Sequence, residues 1–128
     1  MLNYNTKEQE YDRWLEEQID CLKSKDFGAL DLKNLIEELE ALGRAEKAAV
    51  KSFMFQILIH LLLIDYWDEE SLYNKNHWQA EVNAFKFQLN NKITTNLRLM
   101  LENELDKIYA KARTNAILKS NLNSDRFP

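Results

Sequence analysis

Two adjoining stretches constrain the fold of this chain most: DLKNLIEELEALGRAEK at Asp31–Lys47 and FMFQILIHLLLI at Phe53–Ile64. In the first, Leu32, Leu35, Ile36, Leu39 and Leu42 recur at helical spacing, with Glu37, Glu38 and Glu40 on the other sides. In the second, ten of twelve residues are apolar, interrupted by Gln56 and His60, and Asp65 follows at once. Extended at about 3.6 residues per turn, the first stripe takes in Gly43, Glu46 and Val50, then Phe53, Ile57, Leu61 and Ile64. This phase match favours one continuous or bent helix from Asp31 to Tyr66; the alternative ends a helix at Gly43 and opens another at Arg44. Gly43 on the inner stripe would admit the close approach of a second helix. A membrane span needs about 20 apolar residues, so the Phe53–Ile64 run reads as the central helix of a soluble core and no membrane partner is expected.

The rest of the chain repeats the helical theme. Two glycines and one proline in 128 residues leave too few turn formers for a β-rich fold, and the proline is the last residue, Pro128. Tyr11, Leu15, Ile19 and Leu22 predict a helix over Lys7–Lys25, stopped at Asp26-Phe27-Gly28 with Gly28 free to turn left-handed. Asp31 suits the N-cap of the next helix. Asp68–Asn76 (DEESLYNKN) reads as the longest polar connection. Trp78, Val82, Phe85 and Leu89 mark a helix over His77–Lys92. Leu97, Leu101, Leu105, Ile108, Ala112 and Ala116 mark a last one, capped by Thr94 or Thr95. The expectation is a single all-α domain over residues 1–128, a compact bundle of four to five helices around a buried central helix, with 1–6 and 121–128 as loose termini.

Charge and cysteine usage narrow the function classes. The net charge of −4 discourages binding to nucleic acid. The best basic strip, Lys107, Lys111, Arg113 and Lys119 beside Tyr109, is diluted by Glu102, Glu104 and Asp106 and reads as a solvated helix face. One cysteine, Cys21, precludes an intramolecular disulfide, and MLNYNTKEQEYDRW lacks the layout of a signal peptide, so a cytoplasmic setting is expected.

No catalytic constellation stands out, and no cofactor is expected. Glu46 falls among apolar positions, where an unpaired carboxylate is costly; a base or cation ligand is one reading, an ion pair with a lysine or arginine the other. Glu37, Glu40, Glu46 and His60 are weak metal candidates, because the Glu-x-x-His pair of di-iron bundles is absent. His60 fits better as a core imidazole satisfied by a carbonyl or carboxylate. Arg44 at the helix junction could hold an anion, with a salt bridge to Glu40 or Glu46 as the plainer role. Cys21 has no histidine near it in sequence to activate it. Tyr66, Trp67, Tyr73, Trp78, Phe85 and Phe87 crowd one half of the chain; a small bundle needs such bulky core residues, and the other reading makes the patch around Tyr66, Trp67, Tyr73 and Trp78 a contact surface.

Four pieces in order, YDRWLEEQIDCL, DLKNLIEELEALGRAEK, IHLLLIDYW and HWQAEVNAFKFQL, resemble the cyanobacterial family known as domain of unknown function 29. Its most specific part is Asn34–Glu40, followed by Leu42-Gly43-Arg44 and Glu46-Lys47, with His60-Leu61-Leu62 and Trp78 beyond. The resemblance implies an all-helical fold and a photosynthetic bacterial source; many members of the family carry a Cys-Pro-Tyr-Thr-like tail after the Phe-Pro that Phe127-Pro128 matches. It implies no activity. The functional expectation is a non-enzymatic protein-interaction or regulatory module, with a protein partner or a second copy as its target. The alternative is a metal-binding or enzymatic bundle using the buried carboxylates and His60.

Overall fold

Nothing in the interior of this sequence obliges a helix to stop, and the helices are long. A computed structural model describes residues 4–128. They form four α-helices: α1 (Tyr4–Lys23), α2 (Leu32–Tyr66), α3 (Asp68–Lys92) and α4 (Thr95–Ser120). Single 3-10 turns lie at Phe27–Ala29 and Ser124–Arg126, and no strand occurs among the described residues. The described residues fall into two compact units, one ending at Gly43 and one spanning Arg44–Pro128. Helix α2 runs through Gly43 unbroken. An isolated helical glycine costs about 1 kcal/mol, too little to end a helix of this length. A Cβ at Gly43 would meet nothing within 4 Å, so the glycine does not serve a close helix crossing there.

In the first unit, α1 starts at Tyr4, before the expected Lys7; of the terminus read as loose, residues 1–3 lie outside the described residues. The helix ends in a Schellman arrangement: Asp26 N–H donates to the Cys21 carbonyl (2.9 Å) and Lys25 N–H to that of Leu22 (3.2 Å). The left-handed residue is Lys25, at φ 61°, and not Gly28 as the sequence suggests. The helix's apolar stripe is half outside, with Tyr11, Ile19 and Leu22 exposed while Gln18 is buried.

The second unit is built on the later part of α2. One apolar cluster joins Ile59, Leu62 and Leu63 to Trp78 of α3, Ala112 and Ala116 of α4, and Phe127. The other joins Val50 and Ile57 to Val82, Leu89, Leu101 and Ile108. Leu61, expected in the core, is 38% exposed, whereas Leu63 is fully buried. An apolar run of this density can turn either face inward, and packing against α3 and α4 selects Leu62 and Leu63.

The polar connection expected over 68–76 is helical. Only Trp67 separates α2 from α3, and Ser71 Oγ donates to the Ile64 carbonyl across the corner (3.0 Å). Asp68, Glu69 and Glu70 occupy the first turn of α3, where negative charge favours a helix N-terminus. Asn74 Nδ2 donates to Glu70 one turn back (2.7 Å). Thr94 caps α4 by accepting from Leu97 N–H (3.2 Å).

Residues 121–128 were expected to be loose, yet they are packed. After α4 closes on left-handed Asn121, Phe127 is only 3% exposed and meets Tyr66 edge-on at 6.1 Å. Arg113 holds this segment by its carbonyls: Nη2 donates to Ser124 (2.8 Å) and Phe127 (3.2 Å), and Nε to Pro128 (3.1 Å). Tyr109 donates to Pro128 as well.

Leu63→Ala should lower the unfolding free energy by about 2–5 kcal/mol, and Leu61→Ala by under about 1 kcal/mol; urea denaturation distinguishes the two faces. Lys25→Gly should raise stability by on the order of 1 kcal/mol, because glycine occupies the left-handed region without the Cβ penalty. A lower thermal midpoint for that variant would refute the assignment.

Candidate functional site

The first unit is organised around Asp31. Its carboxylate accepts from Asn34 Nδ2 (2.8 Å) and from Trp14 Nε1 of α1 (3.1 Å), while its own N–H donates to Gln18 Oε1 (2.8 Å). The Leu35 N–H bonds the Asp31 carbonyl, so the residue also starts α2. The Asn34 and Trp14 hydrogen bonds, in that order, favour the carboxylate and hold Asp31 below its ordinary value. Nearby, Tyr11 donates to Glu38, and that hydrogen bond is the main reason its phenol is pushed up. Buried Gln18 is thus an acceptor for a helix start, a role signalled in the sequence only by a glutamine amid apolar positions.

Outside this hub, α2 turns its apolar side outward. Leu32, Ile36 and Leu39 are 58%, 53% and 61% exposed. The spacing that marks these residues as a core stripe is real, but within this unit α1 meets α2 through polar side chains. Glu37 and Glu40 are exposed on the same stretch, and so is Arg44.

In the second unit Glu46 is half-buried and accepts from Lys92 Nζ (3.3 Å), so its cation comes from α3 and not from Arg44. His60 is buried; its Nδ1 lies 2.6 Å from the Gln56 carbonyl, which fixes the proton on that nitrogen, and its ring faces Phe85 at 5.9 Å. Among the described residues no three His, Cys, Asp or Glu side chains gather closely enough to hold a metal ion. Cys21 is a free, half-buried thiol.

The four aromatic candidates have different surroundings. Trp78 is buried, and Trp67 stacks on it at 6.0 Å and 24°. Tyr66 lies against Phe127. Tyr73 and its neighbour Leu72 are each 84% exposed, beside a shallow hollow of about 440 Å³ lined by Ile64, Asp68, Ser71 and Asn76. The basic strip is divided too, since Arg113 is committed to the 124–128 carbonyls. Helix α2 alone among the described helices is long and apolar enough to cross a membrane by length and composition, and only part of that stretch is buried.

No curated protein and no solved structure matches the chain. The family model described as domain of unknown function DUF29 matches residues 6–128, and the chain belongs to that family.

Because Asp31 titrates lower in the folded state than unfolded, its contribution to stability is present above its ordinary pKa of 3.8 and is lost as pH falls through the lowered native value. Asp31→Ala should therefore be less stable than wild type at neutral pH, and the gap should narrow toward roughly pH 2. Urea midpoints across that range test this; a gap independent of pH would sink it.

Proposed function

We propose that the chain is a non-enzymatic helical interaction module that self-associates through the outward strip of Leu32, Ile36 and Leu39. The carrying observation is the exposure of these three side chains at 4-3 spacing on one helix. Contiguous exposed apolar surface of this kind marks an interaction site, and 4-3 spacing is what a partner helix engages. A second copy is the simplest occupant, because an isologous contact lets each copy cover the other's strip. The flanks carry both signs, Lys33 and Arg44 among Glu37, Glu38 and Glu40, so pairing does not force like charges together.

The scaffold we infer is a helical bundle in which Phe53–Ile64 forms the shared wall, supported by the packing of Phe55, Leu58 and Ile64 against both apolar clusters. Leu72 and Tyr73 supply a separate outward patch suited to a protein partner. The setting proposed is cytoplasmic, with protein and neither nucleic acid nor membrane as the target. The acidic balance and the engagement of Arg113 support this. The carboxylate–imidazole alternative draws no support from Glu46, engaged by Lys92, or from His60, whose Nδ1–H is used on Gln56.

Light-scattering mass measurements test the proposal. Wild type should be a dimer at micromolar concentration, and Ile36→Glu/Leu39→Glu a monomer with unchanged helicity. A wild type that stays monomeric at high micromolar concentration refutes self-association.

A further inference from the structure

A groove between α2 and α4 in the second unit combines an apolar floor with a basic rim. Its floor is Phe55 and the buried Ile108, with Ala48 and Ser52 at the side. Its rim carries Lys51, Lys107 and Lys111 against one carboxylate, Glu104. The hollow measures 360 Å³, and a second of 360 Å³ adjoins it, sharing Phe55 and Lys111 and continuing toward Thr114. Pockets of this size with an apolar floor and a few convergent charges are typical of small-molecule sites.

The charge is unbalanced. Glu104 is taken by Lys51 at 2.6 Å. Among the described residues neither Lys107 nor Lys111 pairs with a carboxylate, although they stand one turn apart on α4, where like charges repel. Glu104 registers their combined field: its carboxyl is held below the ordinary range first by the Lys51 hydrogen bond, then by the charges of Lys51, Lys107 and Lys111. An anion placed over Phe55 would relieve the repulsion, and an apolar body on that anion would cover the floor.

We propose that this groove binds a small amphiphilic anion, a carboxylate on a short alkyl or aryl body, with Lys107 and Lys111 holding the head group and Phe55 and Ile108 receiving the apolar part. The test uses decanoate, below its micellar range, followed by backbone amide NMR shifts, with decanol and decyltrimethylammonium as neutral and cationic controls. Decanoate should saturate a single site with shifts centred on Phe55, Ile108 and Lys111. Lys107→Gln/Lys111→Gln should weaken it about tenfold or more, as should added salt, which screens exposed charges. Both lysines are exposed, so the double variant keeps the fold. Ser52→Trp, filling the groove from an exposed position, should abolish binding with the lysines intact. Equal affinity for all three head groups, shifts centred on Leu32–Leu39, or no saturation would each overturn the proposal.

Discussion

The structure rests on the burial of one side of an almost wholly apolar helical run. Val50, Ile57, Ile59, Leu62 and Leu63 of α2 each lose nearly all contact with water, and every other buried apolar residue of the second unit packs around them. At about 25 cal/mol for each Å² of apolar surface removed from water, this is the dominant favourable term for that unit. The remaining elements follow from it. α3 turns back after a single residue because Trp78 and Val82 must reach the wall, and α4 adds Ala112 and Ala116, whose small side chains let it sit close.

The same wall explains why residues 121–128 are ordered. Phe127 completes the cluster of Leu62, Leu63 and Trp78, and a segment this short needs its backbone carbonyls satisfied where it leaves water. Arg113 meets that requirement with one guanidinium. A residue that looks from its neighbours like part of a basic strip is therefore structural, while Lys107 and Lys111 stay at the rim of the groove.

The first unit works differently. Its hairpin is joined by directed polar contacts, Trp14 and Gln18 to Asp31 and Tyr11 to Glu38, so the apolar residues of α2 there are not consumed in closing it. Exposure of Leu32, Ile36 and Leu39 follows from that economy, so the strip is not a second core. Asp31 was legible in the sequence as a helix start, and the Thr94-Thr95 pair as another, because capping is local chemistry between a side chain and amides a few residues away. Glu46 and Lys92 are 46 residues apart, and nothing local signals such a pair.

By itself the sequence determined that the chain is helical, where α2 and α4 start, and that Phe53–Ile64 would be buried on some face. Scarce glycine and proline, apolar period and capping residues act over a few residues and need no distant partner. Only the tertiary structure decided which face of α2 turns inward, making Leu63 core and leaving Leu61 at the surface. It also decided that 68–76 is helix, that Phe127 is buried, and that Lys51, Lys107 and Lys111 share a groove. Each of these depends on side chains brought together from different helices, and a periodic pattern records the existence of an apolar face without recording what lies against it.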